Sequence, residues 1–116
     1  MKKIEILIIG RNSAIMETVV RLVNQNDQWN AAGALTDEEA IELFHKYSFD
    51  LVLLGSGIEE ASENKLRKLF NYQRPGIVII QHFGGGSGLL SNEIMAALNK
   101  RAKEEKPEIH FTDGLY

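Results

Sequence analysis

Three stretches of this chain carry residue types from which a site could be assembled. Gly10-Arg11-Asn12-Ser13 places an arginine directly after an apolar run. A guanidinium offers a planar fork of donors that suits a carboxylate or a phosphate. Gly55-Ser56-Gly57 ends a second apolar run, Leu51-Val52-Leu53-Leu54. Ser56 has no base at recognisable spacing to activate it, and serine is a common turn residue. Gly84-Gly85-Gly86-Ser87-Gly88 opens a helical pattern after a third apolar run. Free N–H groups at such a start bind anions. The spacing matches neither the dinucleotide fingerprint nor the phosphate-binding P-loop, because Leu89 stands where a third glycine is needed and no lysine follows. Two readings remain: a backbone cradle for a small anionic ligand, with Arg11 beside it, or a pliable connection. Arg11 has its own plainer reading, as a solvated loop residue or the partner of a nearby carboxylate.

Other chemistry is poorly supplied. There is no cysteine, so disulfides, thiolate metal sites and cysteine nucleophiles are excluded, in keeping with a reducing compartment. His45, His82 and His110 offer two neighbouring imidazoles at best, short of a zinc set, and no metal is expected. No nucleophile–base pair is spaced as in an enzyme, so the chain is read as non-enzymatic and without a cofactor. Net charge is −3, and the basic segment Lys100-Arg101-Ala102-Lys103-Glu104-Glu105-Lys106 is broken by acids. It complements a helix C-terminus better than it neutralises nucleic-acid phosphates. No apolar run is long enough to span a membrane, and Ile6–Ile9 is too short for a signal peptide. A cytoplasmic location is expected. Trp29 and Phe83 suit core or edge packing better than exposed contacts.

The elements that must position these residues follow from periodicity. Ile4–Ile9 is a β-branched strand. Ser13 is placed to cap a helix whose apolar positions Ile15, Val19, Leu22 and Val23 share one face. Trp29–Leu35 is a strand rich in Ala and Gly, weak enough for a sheet edge. Thr36-Asp37-Glu38-Glu39 is a capping box that opens a helix with Ala40, Ile41 and Phe44 inward. The central run Phe49–Gly57 lacks polar alternation, as in a strand buried on both faces of a parallel sheet. Glu59–Asn71 is a third helix, with Leu66, Leu69 and Phe70 inward. Ile77–Ile80 is a fourth buried strand, Leu89–Glu105 a long helix, and Glu108–Thr112 a fifth strand. Alternation of this kind over 116 residues specifies one α/β domain with right-handed crossovers. In such sheets, ligands gather beyond the strands' carboxyl ends.

The segments Ile6–Ile9, Trp29–Ala40 and Phe49–Leu54, in this order and spacing, make the chain resemble the receiver domain of two-component response regulators. The resemblance covers roughly residues 3 to 83. It implies a flavodoxin-like three-layer sandwich over residues 1–116, with a parallel five-stranded sheet of order 2-1-3-4-5. It also implies a phosphoryl-accepting aspartate ending strand three and an acidic pair after strand one that holds Mg²⁺. A Thr or Ser is implied at the end of strand four, and a Lys at the end of strand five. In this sequence those places fall on Gly55, on Gly10 and Arg11, on Gln81, and near Thr112. None keeps the family's residue.

Glycine offers Mg²⁺ no side-chain oxygen, and a covalent phosphoryl intermediate needs a carboxylate. The expectation is therefore a non-phosphorylatable, receiver-like signalling module that acts through protein–protein contacts. A small-ligand sensor using Arg11 and Gly84–Gly88 is the alternative. The family's final helix has no counterpart after Tyr116. The sheet face beside strand one must then be covered by the long helix, by a second subunit, or not at all, and a homodimer through that face is expected.

Overall fold

The computed structural model describes residues 3–55, 57–81 and 92–100. Its elements run β1 (Ile4–Ile9), α1 (Ser13–Asn24), β2 (Trp29–Ala34), α2 (Asp37–Lys46), β3 (Leu51–Leu54), α3 (Glu60–Gln73) and β4 (Val78–Gln81). A helix over residues 92–100, α4, closes the described part. The four described strands form one parallel sheet of order β2-β1-β3-β4. The expected fifth strand at Glu108–Thr112 lies outside the described residues.

The sheet is central because β1 and β3 are apolar on both faces. Ile6–Ile9 and Leu51–Leu54 are all essentially buried. Alternation splits them between two cores. Leu7, Ile9, Val52 and Leu54 face α2 and α3, where Ala40, Phe44, Leu66 and Phe70 meet them. Ile6, Ile8, Leu51 and Leu53 face the other way, onto Val23 of α1, Trp29 and Ile94 of α4. Burial of each large aliphatic side chain contributes about 1.5–3 kcal/mol, so the two faces together dominate the stabilisation. Phe44 and Phe70 stack with centroids 4.2 Å apart, joining α2 to α3. Arg74, the C-cap of α3, lies over the Phe44 ring and donates to the Phe49 carbonyl, tying that helix end to the entry of β3.

Local details depart from expectation at four points. The cap of α1 is Asn12, whose Oδ1 accepts from Ile15 N at 2.9 Å, and Ser13 is the first helical residue. Ile15 points outward at 57 % exposure, while Met16, Val19, Val20 and Val23 face the sheet. The strand β4 is half-buried rather than fully buried. Thr36 does cap α2, accepting from Glu39 N at 3.1 Å. The Glu39 carboxylate, however, reaches one residue further back than a capping box requires, to Leu35 N at 2.9 Å. The weak strand β2 does sit at the sheet edge, with Asn30 exposed and Ala31, Ala32 and Gly33 half-buried.

The helix α4 settles what covers the sheet beside β1. Ile94 is fully buried, and Ala97 and Leu98 pack against the same cluster. Of the three ways to close that face, the chain's own helix is the one realised at these residues. The face chosen is informative. A right-handed crossover from β4 to a strand beyond it runs over the side that carries α2 and α3. Residues 92–100 lie on the opposite side, with α1. They act as a cover for β1 and β3 and not as the middle of such a crossover. Among the described residues, no helix is long and apolar enough to cross a membrane.

Candidate functional site at the carboxyl edge of the sheet

Parallel pairing fixes which residues meet beyond the strands. Ile9 pairs with Ala34 and Leu54, and Leu54 with Gln81. Gly10, Arg11, Gly55 and Gln81 are therefore brought to one edge, as the sequence implies. Thr112 and the stretch Gly84, Gly85, Gly86, Ser87 and Gly88 lie outside the described residues.

Gly55 follows the tip of β3. Its N–H donates to the Ile9 carbonyl at 2.7 Å. A Cβ built on Gly55 would stand 3.2 Å from that same carbonyl oxygen, a tight approach to backbone that cannot swing away. The position is thus bare of side-chain chemistry and closely backed by β1. Gly57 adopts φ +88°, a left-handed turn that glycine enters without steric cost. Gly10 donates to the Ala34 carbonyl at 3.0 Å and likewise presents only backbone.

Arg11 is the one strongly charged group that the sequence places here, and the structure gives it partners from two connections, β2–α2 and β3–α3. Its Nη2 lies 2.6 Å from Asp37 Oδ1, in the first turn of α2. The same nitrogen is 3.4 Å from Glu59 Oε1, the residue before α3. Its Nη1 donates to the Leu35 carbonyl at 3.3 Å. Lys65, on α3, reaches the other Asp37 oxygen at 3.0 Å. Asp37 is the one buried charged residue among those described, at 7 % exposure. Burial pushes its pKa up, but hydrogen bonds from Arg11, Ser62 and Lys65 outweigh that, and it falls from 3.8 to about 2. Glu59 is held below its ordinary value by its own backbone N–H and then by Arg11.

Arg11 is therefore not a free anion receptor. An incoming phosphate or carboxylate would compete with Asp37 and Glu59 for the same nitrogen. The plainer of its two readings, partner of a nearby carboxylate, is the one realised. Sequence reasoning does not single out the partner: Asp37 enters it only as part of the capping-box stretch Thr36-Asp37-Glu38-Glu39. Twenty-six residues separate the pair. The available signal was topological: in a β2-β1-β3 order the start of α2 opens beside the end of β1.

The Mg²⁺ that the fold family implies does not suit this edge. Mg²⁺ needs several oxygen ligands in near-octahedral array. Gly10 and Gly55 supply no side-chain oxygen, and a guanidinium already bridges the nearest carboxylates. Among the described residues, no group of three or more His, Cys, Asp or Glu side chains is placed to hold a metal ion. His45 is exposed on α2. Trp29 is a core residue at 5 % exposure.

A second concavity lies at the opposite, amino edge. It is an open hollow lined by Glu5, Asn30, Ala32, Leu43, Tyr47 and Phe49, among others. Asn30 Nδ2 donates to Glu5 Oε1 at 3.0 Å in its lining.

No family model matches the chain, and no curated protein matches it in sequence. Solved structures match it in fold. A CheY-like response regulator receiver domain protein from Methanospirillum hungatei JF-1 superposes with a TM-score of 0.74 at 16% identity, over 89% of this chain and 99% of that one. The signal receiver domain of an HD domain-containing protein from Pseudomonas fluorescens Pf-5 gives 0.75 at 16% identity, over 91% and 94%. A response regulator receiver domain protein from Clostridium thermocellum gives 0.65 at 20% identity, over 89% and 97%. The fold is that of response regulator receiver domains.

Proposed function

We propose that this chain is a receiver-like signalling module that accepts no phosphoryl group, performs no catalysis, and works in the cytoplasm through protein–protein contacts. The observation that carries the reading is the tip of β3. At that place a phosphoryl-accepting domain needs a carboxylate, and here Gly55 presents backbone pressed against the Ile9 carbonyl. Around it, Gly10 has no carboxylate and Arg11 is a cation bound to Asp37 and Glu59. A nucleophile and its metal ligands are missing together, so restoring any single one is not enough.

The test is a titration with beryllofluoride and Mg²⁺, followed by amide chemical shifts. The expected result is no perturbation around Gly10, Arg11 and Gly55. A saturable shift confined to those amides sinks the proposal.

A second copy of this chain is among the contacts proposed. Because α4 covers the α1 side of the sheet at Ile94, such a dimer forms through helix surfaces rather than through a bare sheet. Sedimentation at high micromolar concentration is expected to show a dimer, and a monomer removes the second copy from the proposal. The alternative of a small-anion sensor loses one of its two supports, since Arg11 is already paired. Thermal-shift screening with nucleotides and phosphorylated metabolites distinguishes it, because a ligand that binds only the folded state raises its stability.

A further inference from the structure

We propose that Arg11 is the resident cation of the carboxyl edge: its guanidinium does internally what a divalent ion does in a metal-loaded site, tying three loops together and leaving no place for such an ion. The inference deepens the functional reading and rests on it only for the identity of this edge.

The argument starts from the oxygens. Leu35 O follows β2, Asp37 Oδ1 opens α2, and Glu59 Oε1 precedes α3. They come from two connections, β2–α2 and β3–α3, and converge on one guanidinium that itself follows β1. A planar fork with fixed donors can bond several oxygens at once, which a lysine ammonium on a flexible stem does less well. The cluster is also charge-matched. Two carboxylates, Asp37 and Glu59, meet two cations, Arg11 and Lys65. A divalent ion entering here would have to displace the guanidinium from Asp37 while leaving two positive charges close by. Its desolvation would be repaid by two carboxylates at most.

The consequence is mechanical. The turn that carries Gly57 and Glu59 is linked to α2 through Arg11, by a 3.4 Å contact to the exposed Glu59 carboxylate, whether or not Mg²⁺ or phosphate is present. An edge tied by its own side chain does not respond to the ions that set a metal-dependent switch. The surface presented by residues 57–59 is then the same with or without such ions, as suits a module that serves as a fixed contact.

The experiment uses the full chain and Mn²⁺ alone, with no phosphate analogue, followed by paramagnetic broadening of amide signals. Wild type is expected to show no site-specific broadening at residues 35–37 or 57–59. In Arg11→Met, which keeps the aliphatic stem, hydrogen exchange at those amides is expected to rise roughly tenfold or more, the equivalent of one lost charge-assisted hydrogen bond. In Arg11→Glu, three carboxylates share the edge. That variant is expected to melt lower than wild type and to gain several degrees on addition of Mn²⁺, which wild type does not.

Saturable broadening of wild type at Asp37 and Glu59 overturns the proposal. So does an Arg11→Glu protein that folds and is indifferent to Mn²⁺. If Arg11→Glu does not fold, the exchange of Arg11→Met decides, and unchanged exchange at 57–59 overturns it. A beryllofluoride response would instead strike at the functional reading, while a Mn²⁺ response without any analogue strikes at this one alone.

Discussion

Arg11 and Asp37 meet at 2.6 Å across the mouth of the sheet, joining the end of β1 to the first turn of α2. The side chain of Asp37 is 9 % exposed and that of Arg11 27 %, so the pair is partly shielded from water. Such a pair is worth more than an exposed ion pair, whose contribution is about 0–1 kcal/mol. Removing one partner leaves the other charge half-desolvated. Asp37→Ala is expected to lower stability by roughly 2 kcal/mol, the scale of hydrogen bonds to a charged group. The shift of the urea midpoint at constant slope measures it. An unchanged midpoint means that the pair is a surface ornament.

The same carboxylate makes a pH prediction. Its folded pKa, about 2, lies below the ordinary 3.8, so the unfolded chain takes up the proton first. The stability Asp37 contributes is therefore fully present above the ordinary value and is lost as pH falls through 3.8 toward about 2. In Asp37→Asn that part of the acid dependence is expected to vanish. Stability curves of the two proteins should converge on acidification within this window, while a constant gap down to pH 2 excludes Asp37 as the titrating group.

Most of the architecture is legible from periodicity, and the exceptions have physical causes. The runs Ile6–Ile9 and Leu51–Leu54 are apolar at every position, which only a doubly covered strand requires. The inward face of α1 is harder to centre, because Ile15, Met16, Val19, Val20, Leu22 and Val23 spread over a broad apolar arc, about 160° at 3.6 residues per turn. Ile15 lies in that arc yet is exposed, and the packing of Met16 and Val20 against the sheet sets where the buried face is centred. Gly55 is legible as a site position because it ends the central strand. Its partner network is not, since Arg11, Asp37, Glu59 and Lys65 are distant in sequence and no local pattern marks a long-range ion pair. The face that α4 covers is likewise hidden, because an amphipathic helix shows that it packs but not on which side of the sheet.

The position of α4 is tested by a pair of neighbouring residues. Ile94 is fully buried, whereas Met95 is 50 % exposed. Ile94→Ala is expected to cost about 2–5 kcal/mol, as for other large-to-small changes in a packed core. Met95→Ala is expected to stay within about 0.5 kcal/mol. Denaturant unfolding of both variants compares them directly. Equal small effects mean that α4 does not cover β1 and β3.

The bare tip of β3 gives a gain-of-function test with a negative expectation. Gly55→Asp returns a carboxylate to the end of the strand. Its Cβ approaches the Ile9 carbonyl at 3.2 Å, and that backbone yields little. The variant is expected to fold with a loss of about 1 kcal/mol. It is expected to gain no phosphoryl group from a small-molecule phosphodonor with Mg²⁺, because Gly10 and Arg11 still provide no metal ligand. Intact mass spectrometry reads the outcome. An added phosphoryl mass on Gly55→Asp means that the metal site survives in some other form.

A last test concerns how tightly α1 lies against β2. A Cβ on Gly33 would stand 2.6 Å from Met16 Sδ, closer than any relaxed contact, and 3.0 Å from its Cγ, a tight one. Glycine at 33 thus makes room for Met16, which follows Arg11 by a turn and a half of chain and helps hold α1 to the sheet. Methionine is unbranched and adapts more readily than a β-branched residue, so the clash is partly relieved by rotation. Gly33→Ala is expected to cost about 1 kcal/mol, the low end for overpacking. Shortening the opposing side chain should relieve the closest contacts, leaving Val20 Cγ2 at 3.2 Å, so Gly33→Ala combined with Met16→Ala is expected to be less destabilised than the sum of the two single changes. A double-mutant cycle measures that coupling. Strict additivity would mean that the two residues do not touch, and that the registry of α1 over β2, which sets where Arg11 enters the carboxyl edge, is fixed by something else.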